Sequence, residues 1–544
     1  MKLTNACYKR FIFLAAGGIL TGLTLIFPAI GLLEWLTLIP VGLFLLTYAA
    51  DPGTKLRRLY GYGLFFFYVY YLMTFHWFVN LYPLDFISGM TKGGALAVVL
   101  VAWLGLSLLQ ALMGGLVFLL CGVFFRFPVC RRFPALRPLL MAGLWAVYEW
   151  TQTLGWWGVP WGRLPLGQAK YLIGLQTASW FGSYFVTFLL VAVNGCLAAM
   201  LLAYLNRSDK ARAAAIKGYG IAVAAMLVFQ YGAGTALWLA NAKNEDEPTL
   251  RVAAVQGNIS SHEKWSLSST KRTKEVYRAY TVKAAEAGAA IVVWPETALP
   301  YVIEEGDPLW AYASDVAYES GATVLVGAMT ETEAGEYNSI ICFLPDGGTE
   351  ETVYSKRRLV PFGEFVPLRG LIETLIPPLA ELVLSGEDVV AGEGGQVFSL
   401  AEGQIGSLIC FDSIYEELTR ESVLEGADLI CLSTNDSWFT DSAALYMHNA
   451  QAQLRAIETG RCVVRAANTG ISTVISDRGE VLQELEPLVD GMVVEDVPLR
   501  DDLTLYTYVG NLFVYLWMVA LCALFARETV SILKKKRDEN VKNP

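Results

Sequence analysis

The chain has 544 residues, of which 54% are hydrophobic and 17% charged, with a formal net charge of −10. That is too apolar for an ordinary soluble enzyme, and the acidic balance argues against nucleic acid as a partner. The apolar residues are unevenly spread. Long runs fill about the first 240 residues and recur near the C-terminus, with a stretch of ordinary globular composition between them.

Apolar runs at about 11–28, 31–49, 60–80, 93–125, 137–151, 172–205, 217–240 and 506–526 predict eight membrane spans, since a crossing needs about 20 residues. The fifth is short and carries Glu149. The first has a basic start (Lys2, Lys9, Arg10), but a second apolar run follows at once without a small-residue cleavage site, so it reads as a retained helix. Basic residues follow every even-numbered span: Lys55, Arg57 and Arg58; Arg126, Arg131, Arg132 and Arg137; Arg207, Lys210, Arg212 and Lys217; and Lys534 to Arg537. The positive-inside rule then puts both termini in the cytoplasm and residues 248–503 outside it. The expected division is a membrane domain over 1–242 with spans one to seven, an outer domain over 248–503, and a last span with a basic tail over 504–544. Charge divides the same way, at about −23 for residues 248–502 and about +13 for the remainder.

Within the membrane part, Glu149 reads as a packing or interface residue, although intramembrane acids are functional suspects. The stretch Gly155–Arg163, rich in Trp and Gly, reads either as a lipid-facing entrance at the outer surface or as an interfacial belt. The polar Asn244–Pro248 stretch is a linker.

Beyond it, strands alternate with helices. Strands are expected at 250–256, 289–294, 323–327, 339–344, 352–354, 405–409, 429–433, 463–466 and 472–476. Helices are expected at 268–288, 308–320, 416–425 and 445–459. This is the pattern of a layered α/β domain with largely buried sheets. Leu368–Leu384 is apolar for a surface insertion and reads as an arm dipping into the bilayer, or else as a helix on the domain's own core.

In such folds, chemistry gathers at strand ends. Three strand ends stand out: Glu296, between Pro295 and Pro300; Lys356, opening Lys356-Arg-Arg-Leu-Val-Pro-Phe-Gly-Glu364; and Cys410. Taken alone, Cys410 is more often a small core residue than a nucleophile. Its place between a strand and a helix start favours thiolate, while a bridge to Cys431 is the structural rival. A thiol nucleophile needs a base. The outer domain has only His262 and His448, neither at a strand end, and His448 reads as structural. Glu296 is therefore the expected base and Lys356 the cation that stabilises an oxyanion. Arg357 and Arg358 fit a headgroup patch. No Cys/His spacing suggests a metal.

These three contexts resemble the Glu-Lys-Cys triad of the nitrilase superfamily, which implies an αββα sandwich. Together with Val255-Gln-Gly-Asn-Ile259, Lys264-Trp265, Ser433–Phe439, Asn468-Thr-Gly-Ile471, Gly158–Trp161 and the eight-span pattern, they are similar to the apolipoprotein N-acyltransferase family. The resemblance implies a bacterial inner-membrane enzyme with a periplasmic catalytic domain and no cofactor. Cys410 would take an acyl chain from a phospholipid as a thioester. The chain would then pass to the α-amine of the S-diacylglyceryl cysteine that begins a lipoprotein. The same resemblance gives Glu364 a supporting role, Phe411 an oxyanion-hole N–H, and Trp265 and Trp438 substrate contacts. Where the family often has Tyr-Glu after the nucleophile, this chain has Phe411-Asp412, which leaves the role of Asp412 open. The rival readings are a membrane-tethered amidase and a non-catalytic receptor or transporter.

Overall fold

The structure, a computed structural model, describes residues 7–84, 90–205, 212–241, 248–260, 264, 267–375 and 388–542. Its backbone divides into two compact units. One comprises Met1–His76, Val101–Leu237 and Val509–Pro544; the other comprises Trp77–Leu100 and Trp238–Tyr508.

The first unit is helical. Among the described residues, six helices are long and apolar enough to cross a membrane: Tyr8–Ile26, Pro28–Ala49, Lys92–Phe124, Ser183–Leu205, Arg212–Ala240 and Leu512–Glu539. The expected third and fifth spans are also helices, Leu56–Thr74 and Leu136–Thr151. The first of these is diluted by tyrosines and arginines, and the second has only 16 residues. Polar side chains inside this unit mend broken backbone, as a water-poor interior requires. At the break before Pro40, Asn194 accepts from the Leu38 N–H (3.0 Å) and donates to the Glu34 carbonyl (2.9 Å). Glu149 is buried and accepts from the Leu164 N–H (3.1 Å), the Trp145 indole and the Thr187 hydroxyl, which is a packing role. The Gly155–Arg163 stretch divides. Trp156 and Trp157 are exposed, whereas Trp161 and Arg163 are buried, so the second half is core rather than surface.

The second unit holds two facing sheets. The strands are β1 (Thr249–Gln256), β2 (Ile291–Val293), β3 (Leu299–Val302), β4 (Thr323–Thr332), β5 (Gly335–Phe343), β6 (Thr349–Ser355), β7 (Val397–Leu400), β8 (Gly403–Ile409), β9 (Leu429–Thr434), β10 (Cys462–Ala467), β11 (Thr473–Ile475), β12 (Val481–Glu484) and β13 (Gly491–Pro498). The first sheet runs β13-β1-β2-β4-β5-β6, with β3 beside β4; the second runs β12-β11-β10-β9-β8-β7.

Strand periodicity sorts the side chains into layers. Val252, Ala254, Ile291, Val293, Leu325, Ile340 and Cys342 face Ile405, Ile409, Leu429, Cys431 and Val464 in one inter-sheet core. The alternate residues Ala253, Val255, Val292, Val324, Val326 and Ile341 pack outward, against Tyr277 and Ala284 of the Leu267–Glu286 helix and Ala313 and Val316 of the Pro308–Ser320 helix. Trp294 anchors this outer layer, stacked on Tyr277 (4.8 Å) and donating to the Thr281 hydroxyl (2.9 Å). Both faces of the central strands are therefore apolar, as an αββα arrangement demands.

Four strands went unread in the sequence. β3 contains Pro300 and pairs off the main path. β7 and β12 are short strands at a sheet edge. β13 carries Glu495 and Asp496, but pairs with β1 along its whole length.

Residues 77–100 fall in the second unit. Trp77 meets Phe439 edge-on (4.9 Å), and Asn80 donates to the Thr440 hydroxyl (3.1 Å). Of the apolar 368–384 stretch, Leu368 and Leu371 are exposed at the Arg369–Leu375 helix rather than packed on the core. Residues 376–384, with Ile376, Leu379, Leu382 and Val383, lie outside the described residues.

Candidate active site

β8 ends at Ile409, and Cys410 turns with φ +48° into a short 3-10 helix, Cys410–Ile414. A left-handed backbone is uncommon at a non-glycine residue, and such strain is a reason to look for function there. The turn leaves the thiol half-buried among buried neighbours. Asp412 holds this elbow. One carboxylate oxygen accepts from the Ile409 N–H (3.1 Å) and the Tyr354 hydroxyl (2.9 Å); the other accepts from the N–H groups of Arg357 (3.2 Å) and Arg358 (2.7 Å). One side chain therefore ties the cysteine turn to the strand end that presents Lys356.

Lys356 is almost fully buried and bridges two carboxylates, Glu296 (2.9 Å) and Glu364 (2.8 Å). The Asn338 amide donates to the same two groups, at 2.7 and 3.1 Å. The other oxygen of Glu296 accepts from the Asn435 N–H (3.0 Å), and the other oxygen of Glu364 from the Val360 N–H (2.8 Å). Every carboxylate oxygen is met, so the constellation is rigid.

Charge is distributed unequally. Burial opposes ionisation of Glu296, but the Lys356 ammonium and the Asn338 amide outweigh it and hold the carboxyl below its ordinary range. Burial likewise opposes the charge on Lys356, and Glu296, Glu364 and Cys410 together raise it well above the usual lysine value. Burial and the Glu296 charge push the Cys410 thiol well up, against the pull of Lys356 and the Thr434 hydroxyl. The expectation of a resting thiolate is therefore corrected. The strand-to-helix position is opposed by burial beside a carboxylate, which favours the thiol.

Behind the elbow lies a second polar network. His448 is buried and bonds Asp436 (2.9 Å), the Ser413 hydroxyl (3.0 Å) and the Cys410 carbonyl (3.1 Å). Arg465 pairs with the other oxygen of Asp436. Burial opposes the Asp436 charge, but Arg465 and His448 hold this carboxyl well below its usual range. Donor atoms of Cys410, Asp436 and His448 lie within 4.8 Å of one another. However, a guanidinium already occupies the carboxylate, and the outer imidazole nitrogen points at a carbonyl and a hydroxyl. The donor set suits a hydrogen-bond brace better than a cation.

A model of the family described as carbon-nitrogen hydrolase matches residues 251–501, and one described as apolipoprotein N-acyltransferase N-terminal domain matches residues 17–196. A protein named apolipoprotein N-acyltransferase from Gloeobacter violaceus is 32% identical over 94% of this chain and 91% of its own. The chain belongs to the apolipoprotein N-acyltransferase family. A relative of the same name from Geobacter metallireducens is 30% identical over 68% of this chain and 70% of its own. Among solved structures, Nit3 of Saccharomyces cerevisiae, described as a nitrilase-superfamily member, is 18% identical, with a TM-score of 0.37 over 46% of this chain and 90% of its own. A mutant amidase from Nesterenkonia gives 18% identity and 0.36 over 49% and 95%.

For this member of the apolipoprotein N-acyltransferase family, the structure brings buried Glu296 and Lys356 and half-buried Glu364 into one cluster, with Cys410 within electrostatic reach. Phe411 is buried beside Tyr415, with its ring 5.5 Å away. Trp438 is half-buried in the turn closed by the Phe439 N–H on the Asp436 carbonyl (3.0 Å). Trp265 and His262 lie outside the described residues. Cys410 and Cys431 are both free thiols, and Cys431 sits in the inter-sheet core, so no bridge competes for the sulfur. Arg357 bonds Glu421, and the Arg358 guanidinium lies over the Tyr415 ring (4.9 Å). Both basic side chains thus have protein partners.

Sequence reasoning missed Asn338, Tyr354, Asp436 and Arg465. Asp436 lay within the Ser433–Phe439 motif, and Asn338 left a signal as an amide at the head of an apolar strand run.

Gly327 of β4 gives the Glu296 turn its room. A Cβ there would lie 2.1 Å from the Pro295 carbonyl oxygen and 2.9 Å from Glu296 Cα. Gly327→Ala is expected to cost about 1–3 kcal/mol of stability and to slow acyl transfer by about 10²-fold through displacement of the carboxylate. Thermal unfolding and a lipopeptide acylation assay on the same preparation check both.

Proposed function

We propose that this protein acylates the N-terminal amine of diacylglyceryl lipoproteins, using a membrane phospholipid as donor and Cys410 as the carrier. The thiol proton passes to Glu296 as the sulfur attacks the donor's ester carbonyl. Lys356 and the Phe411 N–H stabilise the tetrahedral oxyanion. The ester C–O bond breaks, Glu296 returns the proton to the leaving oxygen, and a lysophospholipid departs from a thioester. The lipoprotein α-amine then attacks the thioester, loses its proton to Glu296, and the thiol is regenerated as the amide forms.

Eight spans with both termini in the cytoplasm and the sandwich in the periplasm are the topology proposed here. They confine both lipid substrates and the sulfur to one leaflet of the inner membrane. Trp265 and Trp438 are proposed to touch substrate, and the exposed Leu368 and Leu371 to begin an arm at the lipid surface. The observation that carries the reading is the buried Glu296–Lys356 pair beside a cysteine held in a left-handed turn.

Its test is the intact mass of protein taken from membranes. An added fatty acyl group, lost in hydroxylamine and missing from Cys410→Ala, is the expected result. Product analysis with phospholipid and diacylated lipopeptide separates transfer from hydrolysis. Release of free fatty acid alone would point to an amidase-like hydrolase instead.

A further inference from the structure

Lys264 is a buried lysine that the proposed mechanism does not use. It is 3% exposed. Its backbone N–H donates to the Ser260 carbonyl (2.9 Å). Its ammonium donates to the Thr297 hydroxyl and lies 3.3 Å from the Glu296 carbonyl oxygen. Both contacts fall on the turn that presents the Glu296 carboxylate, where Thr297 itself has φ +45°.

Two neutral oxygens do not offset the several kcal/mol that burying an ammonium costs; the charge that acts on it is that of Glu296. Burial draws the Lys264 ammonium down to about 7, with Glu296 acting to hold it up. In return, Lys264 adds to the forces that keep Glu296 ionised. The groups acting on Glu296 are then Lys356, the Asn338 amide, the Asn435 N–H, Lys264 and the Cys410 thiol. Lys356 is shared with Glu364, so the two carboxylates face two cations only when Lys264 is counted.

We propose that Lys264 is the second cation of this site. It is a positioning residue that straps the Glu296 turn and keeps the carboxylate ionised, and it thereby sets the lowest pH at which the acyl-enzyme forms. The proposal rests on the thioester reading above. The sign follows from charge. An ammonium near a carboxylate lowers its pKa; removing the ammonium raises it, so the base becomes protonated at a higher pH.

The test is a single-turnover measurement on the full chain in nanodiscs, following transfer of a fluorescent acyl chain from phospholipid onto the protein between pH 4 and 9. Lys264→Met is expected to move the acid limb of the rate upward by about one pH unit, and Lys264→Arg to leave it where the unmodified protein has it. Lys264→Gln should shift it as the methionine does, and serves if thermal unfolding shows the methionine variant misfolded. A uniform loss of rate at every pH, or an arginine variant shifted as far as the uncharged ones, overturns the proposal. The label's site is read in the same samples. A label on Cys410 with an unmoved limb sinks only the role of Lys264, whereas a label that survives Cys410→Ala sinks the thioester reading itself.

Discussion

Replacing Lys356 by methionine is expected to leave a protein that is both slower and less stable. Lys356 pairs with two carboxylates, buried Glu296 at 2.9 Å and half-buried Glu364 at 2.8 Å. Removing one member of a buried ion pair costs about 3–5 kcal/mol, because the abandoned charge remains in a poor solvent. Losing a preorganised oxyanion donor costs about 10²–10³-fold in rate. The two losses separate on adding Glu364→Gln. That change removes one stranded charge, so the double variant should recover part of the stability and none of the rate.

The pH dependence has a definite sign. In the unmodified protein the folded-state pKa of Glu296 is depressed, so its contribution to stability is present above the ordinary glutamate value and fades as pH falls through the depressed one. Without Lys356, burial dominates and raises the Glu296 pKa. The variant is then worst at high pH and is relieved as the carboxyl takes up a proton. Thermal unfolding from pH 4 to 8 tests this. If the deficit stayed constant across that range, the buried pair would not be its cause.

Periodicity and local chemistry made much of the sandwich readable. The helix over 308–320 and the strands around Val252, Leu325, Ile409 and Cys431 follow from apolar runs bounded by turns, and such runs form where both sheet faces are covered. Strand ends likewise pointed to Glu296, Lys356 and Cys410. Asp436, His448 and Arg465 were not readable as a group, because only the third dimension brings a loop, a helix and β10 together. Asp412 shows a different limit. A carboxylate two residues after Cys410 is legible in the sequence, but not that its partners are the N–H groups of Arg357 and Arg358 on another strand end. The protonation state of Cys410 was misjudged for a related reason. Position at a helix start is local, whereas the burial and the Glu296 charge that oppose it come from distant parts of the chain.

That last point yields an outcome in which one substitution moves two reactivities in opposite directions. Glu296→Gln removes the carboxylate that keeps the proton on Cys410 and leaves Lys356 beside the sulfur. The thiol pKa should fall, because the repelling charge is lost and the attracting one stays. A drop of about one unit raises the thiolate fraction about tenfold at any pH below both values. Alkylation by iodoacetamide, which needs only thiolate and access to the half-buried sulfur, is therefore expected to run about tenfold faster than in the unmodified protein at pH 8. In the proposed mechanism acyl transfer needs the proton to be taken and returned by Glu296, so it should fall by about 10²–10⁴-fold in the variant. Both rates are read on one preparation, by mass spectrometry of Cys410 and by lipopeptide product. A merely structural role for Glu296 predicts that both decline together or that neither changes. Faster alkylation with lost transfer is the pattern that only a proton-holding neighbour produces.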